Sequence, residues 1–372
     1  MKQFLLAQAS GDRLNAMLDD CLEQLGDIPP EATLGFIYIT DHLGEHLPVI
    51  VGRLKEATGI QNWAGTLGMG IIASQQEYYD QPAIAIMVAD LNESDFRVLP
   101  NFTRNMDAFD EDLQSWCAEH HFHIGLVHGD PENPAFQELL NELGQRVPES
   151  FLIGGLTSSR GQHLQVANDV VHGGLSGIVF SDQVEVLSNL TQGCTPIGSR
   201  HRITQAERNI VYSLDHQPAL DVLADETGEI MARDWERAAN FIFAGLVNPN
   251  ADTDDYTVRQ LIGVDENAKI IAIGDIIDDN QELIFCRRDG NSALEDMQRM
   301  LLQMKTRLKK PPRGALYISC LGRGREQFGS NSEEVRLIHS VLGDFPLVGF
   351  FANGEIHKNR LYGFTGVLTL FI

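Results

Sequence analysis

Four segments rich in glycine and small polar residues carry the groups that could bind a small molecule. Each follows a predicted strand, and ligands of α/β proteins bind at strand ends. Glycine there lets backbone N–H groups approach a ligand closely, although a tight turn alone would account for any one segment. The candidate ligand-binding residues are Gly154, Gly155, Thr157 and Ser158; Gln192, Gly193 and Cys194; Cys320, Gly322 and Arg323; and Asn353, Gly354 and Glu355.

Arg323 and Glu355 are the charged members of this set. A guanidinium offers a planar fork to a carboxylate, and a glutamate can accept hydrogen bonds from an ammonium group. Thr157 and Ser158 would add neutral hydrogen bonds. The set therefore predicts a site for an amino acid or a similar small zwitterion or acid. Each charged side chain could instead form an ion pair inside the protein, with the other or with a neighbour, and the sequence leaves this open.

Cys320 supports a different hypothesis, an enzyme with a cysteine nucleophile. The charges of Arg323 and Arg325 would lower the pKa of its thiol, and Cys194 could stand opposite it. The candidate general bases are His128, His163 and His357. Cysteine is also a common small residue of apolar cores, so the prediction remains a binding protein without catalysis. A third hypothesis is a protein–protein scaffold whose contact patch contains Trp63, Trp235, Phe350 and Phe351.

Signatures of cofactor and metal sites are missing from the sequence. It has no P-loop, no His-Glu-x-x-His, no Gly-x-Ser-x-Gly and no complete dinucleotide fingerprint. The run His120-His121-Phe122-His123 lies at a predicted helix end, where histidine suits the negative helix terminus. We therefore predict no cofactor and no metal.

Composition excludes several classes of partner. The 372 residues include 28 Lys and Arg against 52 Asp and Glu, a formal charge of −24 that opposes nucleic-acid binding. The longest apolar runs, 83–89 and 241–247, are far shorter than the roughly 20 residues of a membrane helix, so no membrane insertion is expected. Five scattered cysteines without a Cys-x-x-Cys pair are typical of a reducing compartment. We expect a cytoplasmic protein.

The elements that position these residues follow a recurring order of buried strand, polar loop, helix and glycine-bearing strand. A helix precedes the second and third units (106–120 and 292–309), and hairpin-like strand pairs follow them, such as 177–180 with 184–190. The order predicts a mixed α/β (α+β) fold of two similar halves. Their mixed sheets should pack face to face with helices outside, in α-β-β-α layers. The three units are 34–40, 48–57 and 65–72; 124–128, 133–144 and 151–156; and 315–319, 332–342 and 347–351.

Several motifs along the chain resemble the FIST domain. Ile153-Gly154-Gly155 and Gln192-Gly193-Cys194-Thr195-Pro196-Ile197-Gly198, followed by Thr204 and Leu214-Asp215, resemble its N-terminal half. Ser319-Cys320-Leu321-Gly322-Arg323 and Gly349-Phe350-Phe351-Ala352-Asn353-Gly354-Glu355-Ile356 resemble its C-terminal half. The resemblance covers roughly residues 30 to 370. It divides the chain into an N-terminal half, 28–214, a C-terminal half, 215–372, and an N-terminal helix, 1–27, packed on the first half.

The resemblance implies a sensory module that binds a small ligand such as an amino acid. Because the two halves fill the sequence, we expect the signal to pass to a separate output protein in trans or through an oligomer of undetermined size. We also expect the glycine-rich strand ends of the two halves to meet at a shared pocket, with Cys194 near Cys320.

Overall fold

The computed structural model describes residues 4–120, 122–146, 151–228, 241–247, 256–277 and 281–372. The chain forms two compact units. Unit 1 contains Met1–Thr191, Gln298–Leu361 and Thr365–Ile372, and unit 2 contains Gln192–Met297 and Tyr362–Phe364. Trp235 lies outside the described residues.

The secondary structure is numbered in chain order. The helices are α1 (Leu14–Leu25), α2 (Leu47–Thr58), α3 (Glu111–Glu119), α4 (Phe136–Arg146), α5 (Ala219–Thr227), α6 (Gly290–Arg307), α7 (Arg325–Phe328) and α8 (Glu333–Leu342). The strands are β1 (Leu5–Ser10), β2 (Leu34–Thr40), β3 (Asn62–Gly68), β4 (Gly70–Ala73), β5 (Gln76–Tyr79), β6 (Ala83–Ala89), β7 (Phe96–Phe102), β8 (Phe122–Gly129), β9 (Phe151–Leu156), β10 (Leu164–Ala167), β11 (Asp169–His172), β12 (Leu175–Ser181), β13 (Val186–Gln192), β14 (Cys194–Glu207), β15 (Ile210–Leu214), β16 (Gln217–Pro218), β17 (Ile242–Val247), β18 (Tyr256–Asp265), β19 (Ile270–Ile273), β20 (Glu282–Arg288), β21 (Gly314–Cys320), β22 (Leu347–Ala352), β23 (Glu355–His357), β24 (Arg360–Tyr362) and β25 (Thr365–Phe371).

Three six-stranded sheets with one common strand order carry unit 1. They are sheet 1, β1-β6-β2-β3-β10-β11; sheet 2, β7-β12-β8-β9-β23-β24; and sheet 3, β13-β25-β21-β22-β4-β5. A parallel pair joined by a helix crossover lies inside each sheet: β2 with β3, β8 with β9, and β21 with β22. The recurring unit predicted from the sequence is therefore confirmed, and the structure shows three copies of it.

The three sheets exchange hairpins. The hairpin β4–β5 follows β3 in the chain but pairs with β22 of sheet 3. In the same way, β10–β11 follows β9 and pairs with β3 of sheet 1, and β23–β24 follows β22 and pairs with β9 of sheet 2. Each repeat thus completes the sheet of another repeat, and the chain crosses between sheets directly after the second parallel strand.

A glycine at an equivalent register position lets each parallel pair form. A Cβ atom on Gly65, Gly154 or Gly349 would lie 1.7, 1.8 or 1.7 Å from a carbonyl oxygen of the neighbouring strand. Those oxygens belong to the residues paired with the three glycines, Ile37, Val127 and Tyr317. The glycine that the sequence places in each second strand is therefore required by close backbone packing.

The inner faces of the three sheets share one core, to which Phe36, Leu126, Phe180, Leu316 and Phe371 contribute. Alternate residues of sheet 1 pack outward against α1 and α2, and those of sheet 2 pack against α3 and α4. This arrangement follows from the period of two in buried strands. It confirms the predicted mixed sheets packed face to face with helices outside.

Unit 2 is built on an antiparallel seven-stranded sheet, β14-β20-β17-β18-β19-β15-β16, with α5. One side of it carries a core that includes Val211, Leu223, Leu261 and Phe285. His201 joins two carboxylates here, with its Nδ1 2.8 Å from Asp215 Oδ2 and its Nε2 3.0 Å from Glu226 Oε1.

Two local predictions are wrong. The predicted hairpin of 177–180 with 184–190 does not form, because β12 lies in sheet 2 and β13 in sheet 3. The single strand predicted over 65–72 is two strands, β3 and β4, in different sheets. The physical reason is the same in both cases, because the later strand pairs with a strand of another sheet: β13 pairs with β25, and β4 pairs with β22.

Candidate functional site

Ser158 lies where the chain crossings of the three repeats meet in unit 1. Its hydroxyl donates to the carbonyl of Phe351 at 2.5 Å and accepts from the backbone N–H of Met69 at 2.9 Å. The neighbouring hydroxyl of Thr157 lies 2.7 Å from that of Thr66. Ser158 and Thr157 are both buried. Their contacts hold together the strand ends that follow β3, β9 and β22.

Backbone hydrogen bonds bring three of the four predicted segments together. Leu156 N donates to Gly354 O at 2.8 Å, and Asn353 N donates to Leu156 O at 3.0 Å. Gly155 and Gly154 pair with Glu355 and Ile356 in β9 and β23. The 319–324 segment joins them because Leu321 N donates to Ala352 O at 3.0 Å. We call this convergence the strand-end site.

The fourth predicted segment belongs to unit 2. There Gly193 N donates to Phe364 O at 2.7 Å, and Gln192 N donates to the carboxylate of Asp296 at 2.7 Å. Cys194 is buried, and the Tyr256 hydroxyl donates to its carbonyl oxygen at 2.9 Å. Its three candidate residues are thus placed in a different compact unit from the strand-end site.

Arg323 forms a buried ion pair with Glu334, in the first turn of α8. Its Nε lies 2.8 Å from Glu334 Oε1, and neither side chain is exposed to solvent. The same carboxylate accepts from Tyr317 Oη at 2.6 Å, from Gly324 N at 2.8 Å and from Ser319 Oγ. Of the alternatives left open by the sequence, Arg323 therefore makes an ion pair inside the protein, and its partner is Glu334. No sequence signal marks Glu334, because the adjacent Glu333 is the same residue type and only partly buried.

Glu355 is also fully buried, with hydroxyl and thiol donors around it. Thr365 donates to Glu355 Oε2 through Oγ1 at 2.7 Å and through its backbone N–H at 3.1 Å. The Cys320 side chain also hydrogen-bonds to this carboxyl group. Burial raises the pKa of Glu355 to about 8, although Thr365 and the charge of Arg323 oppose the shift. At neutral pH this side chain is thus mostly protonated, which differs from the charged acceptor that an ammonium ligand would favour.

Glu77 and Tyr79, which sequence reasoning missed, extend this buried polar cluster. Tyr79 Oη donates to Glu77 Oε2 at 2.9 Å, and the Tyr79 ring lies 4.8 Å from that of Phe351. Burial, reinforced by the negative charge of Glu334, raises the pKa of Glu77 to about 8. The hairpin β4–β5 brings both residues here from a distant part of the sequence, so no local motif marks them.

Asp80 joins two arginines at the rim of the strand-end site. Arg160 Nη2 lies 2.7 Å from its Oδ1, and Arg325 Nη2 lies 2.7 Å from its Oδ2. The enzyme hypothesis requires the charges of Arg323 and Arg325 to lower the pKa of the Cys320 thiol. Both charges are instead paired with carboxylates, Arg323 with Glu334 and Arg325 with Asp80. Cys320 is partly accessible, whereas the other four cysteines are buried.

The histidines proposed as general bases do not support the enzyme hypothesis. His128 is fully buried with Nε2 3.2 Å from Tyr38 Oη, and burial lowers its pKa to about 3. His357 is buried on β23. His163 Nδ1 lies 3.6 Å from Asp130 Oδ1 in a group with Glu132. The carboxylate of Asp130 accepts from the backbone of Glu132 and Gly173, which ties two loops together.

The remaining predictions concern surfaces. Trp63, Phe350 and Phe351 are fully buried, so the contact patch of the scaffold hypothesis is wrong for these residues. His120 stacks on Trp116 with ring centroids 5.0 Å apart, while His121 and the side chain of His123 lie outside the described residues. Within the described ranges, no helix combines the length and apolar character needed to cross a bilayer.

Comparison with known proteins agrees with the motifs. Residues 33–217 match the FIST N domain, and residues 219–358 match the FIST C domain. The chain is 28% identical over 363 residues to the uncharacterized protein Rv0628c of Mycobacterium tuberculosis (strain ATCC 25618 / H37Rv), covering 94% of this chain and 93% of that protein. It is 27% identical over 373 residues to the uncharacterized protein Mb0898c of Mycobacterium bovis (strain ATCC BAA-935 / AF2122/97), covering 94% and 92%. Because the two matched domains account for most of the sequence, this chain belongs to the FIST family, with a FIST N domain followed by a FIST C domain.

Proposed function

We propose that this protein is a sensory module that binds a small ligand at the strand-end site. The observation that carries the proposal is the burial of Arg323, Glu334 and Glu355 where three strand ends converge. Burying ionisable groups costs free energy, and groups with perturbed pKa values cluster at functional sites. The carboxyl ends of parallel strands are also where α/β proteins bind ligands.

The accessible members of the site are the ones that would touch the ligand. Cys320 and Gly322 are partly exposed, and Asn353 is exposed. The buried Thr157, Ser158, Arg323, Gly154, Gly155, Gly354 and Glu355 fix the loops that present them. We infer an amino acid or a similar small zwitterion or acid as ligand, because the exposed side-chain amide of Asn353 can donate to a carboxylate and accept from an ammonium group.

The output of the module is part of the proposal. We infer that ligand binding is communicated in the cytoplasm to a separate signalling protein, because FIST domains are associated with sensory roles in signal transduction. Ligand binding would tighten the contacts of Ser158 with Met69 and Phe351, and so change how the three repeats are held together. A partner protein that recognises this change would bind the ligand-bound and ligand-free forms with different affinities.

A thermal-shift screen of the purified protein against the free amino acids and small carboxylic acids tests the proposal. A ligand present at 100 times its dissociation constant should stabilise the protein by about 2.7 kcal/mol. Asn353→Ala should weaken that effect, whereas Lys358→Ala, an exposed neighbour outside the site, should leave it unchanged. Failure of every compound to stabilise the protein would exclude this function.

A further inference from the structure

A groove of about 560 Å³ lies in unit 1 and shares no residue with the strand-end site. Its walls are β7, the start of α3 with the residues before it, and the turn between β10 and β11. Small-molecule sites typically have volumes of about 300 to 1,000 Å³, so the groove has the size of a ligand site.

Arg97 presents a fixed positive charge in this groove. Its Nη1 donates to the carbonyls of Glu93 and Phe96, both at 2.8 Å, and its guanidinium lies 5.1 Å from the Trp116 ring centroid. Trp116 is held in turn by a hydrogen bond of 3.0 Å from Nε1 to Ser94 O. Within the described part of the chain, no carboxylate pairs with Arg97. The guanidinium is therefore oriented but not neutralised.

Asn168 adds a second oriented donor to the groove. Its Oδ1 accepts from Trp63 N at 3.1 Å, which orients the side-chain amide. Among the contacts of the described residues, none engages the NH₂ group of Asn168. Arg97 and Asn168 thus supply donors of the kind that bind a carboxylate.

Two carboxylates in the groove supply the opposite charge. Asp110 uses Oδ1 to accept from Leu113 N at 2.9 Å at the start of α3, which leaves Oδ2 for a ligand. Asp112, two residues further along the chain, is exposed and also lines the groove. With Arg97, the two aspartates give the groove a net charge of −1, and Val98, Leu99 and Leu113 add apolar groups to its lining.

We propose that this groove binds a dibasic α-amino acid such as L-lysine. Its carboxylate would contact Arg97 and Asn168, its ammonium groups would contact Asp110 and Asp112, and its methylene chain would cover the apolar wall. The net charge of −24 would raise the local concentration of such a cationic ligand. This inference goes beyond the proposed function, because it assigns a second, separate site.

Isothermal titration calorimetry with free L-lysine and with cadaverine, which lacks the carboxylate, tests this assignment. Arg97→Gln and Asn168→Asp should each raise the dissociation constant for L-lysine at least tenfold, since each removes a charge-assisted hydrogen bond. Asn168→Asp keeps the acceptor for Trp63. Arg97→Gln should not weaken cadaverine binding, because cadaverine has no carboxylate and the loss of a positive charge favours a dication, whereas Asp112→Asn should weaken the binding of both compounds.

The matched controls are Arg104→Gln and Glu111→Gln, two exposed residues close in sequence that do not line the groove, and neither should change binding. The assignment would be overturned if L-lysine does not bind at millimolar concentration. It would also be overturned if the dissociation constant for L-lysine is unchanged in Arg97→Gln and Asp112→Asn. L-lysine binding that depends on Asn353 and not on Arg97 would overturn the groove while supporting the strand-end site. Binding that depends on Arg97, with no ligand affected by Asn353→Ala, would support the groove and contradict the proposed function.

Discussion

Glu334, which the sequence analysis did not single out, accepts more hydrogen bonds than any candidate residue of the strand-end site. It accepts hydrogen bonds from Arg323, Tyr317, Ser319 and Gly324, and thereby ties α8 to the end of β21. We expect Glu334→Gln to destabilise unit 1 by about 3–5 kcal/mol, because it leaves the buried guanidinium of Arg323 without a charged partner. Urea unfolding followed by circular dichroism measures this. The control is Glu333→Gln: this partly buried neighbour accepts hydrogen bonds from Asn331, and glutamine can still accept them, so the effect should be small. Equal losses in both variants would contradict the assignment.

Glu355 and Glu77 predict a fall in stability as the pH rises from about 4.5 to 8. Burial raises both pKa values from 4.5 to about 8, so in this range the folded state retains protons that the unfolded state has lost. Stability therefore decreases as pH rises from 4.5 to 8. His128 acts in the opposite sense, because its pKa falls from 6.5 to about 3, but its effect is complete by pH 6.5.

Between pH 6.5 and 8, each glutamate should thus cost about 1.5 kcal/mol of stability. The urea midpoint measured across this range reports the sum, and Glu355→Gln should remove roughly half of the dependence. A midpoint that is flat from pH 6.5 to 8 in the unmodified protein would contradict the shifted pKa values.

At the scale of elements, the parallel pairs depend on glycines that face a neighbouring carbonyl. Gly65→Ala and Gly349→Ala should each destabilise the protein by at least about 3 kcal/mol, because the added methyl would overlap backbone atoms that cannot rotate away. Gly52→Ala in α2 is the control: nothing lies within 4 Å of its Cβ position, and alanine favours the helix by about 1 kcal/mol. Thermal unfolding should therefore show opposite signs, and tolerance of alanine at position 65 would argue against the close packing.

The positions of the strands could be predicted from the sequence better than which strands pair with each other. Runs of β-branched and aromatic residues mark β2, β8 and β21 because both faces of these strands are buried. The hairpins β4–β5 and β10–β11 could not be assigned, since their partner strands are distant in sequence and a local pairing is always compatible with the same alternation. The same limit applies to the site: Arg323 and Glu355 stand in recognisable glycine-rich segments, whereas Glu77 reaches the cluster only through an exchanged hairpin.

At the scale of the molecule, unit 2 occupies a position in the chain where the other repeats have a short loop. The edge strand and the first helix are joined by residues 11–13 in the first repeat and by 103–110 in the second. In the third repeat the same connection, from β13 to α6, runs through residues 193–289. The repeat order thus identifies nearly all of unit 2 as an insertion within one connection of unit 1.

Replacing residues 193–289 by a Gly/Ser loop of about eight residues should therefore leave a chain that unfolds cooperatively, because all three sheets keep their strands. Truncation after Thr191 should not, since it removes β21, β22 and β25 from sheet 3 and β23–β24 from sheet 2. The hairpin β4–β5 would then lack its partner, and the exposed strand edges would favour aggregation. Urea unfolding of the two variants, followed by circular dichroism, compares them directly. If the truncated chain folds cooperatively and the excised chain does not, the repeats are not interdependent and the exchange of hairpins does not hold unit 1 together.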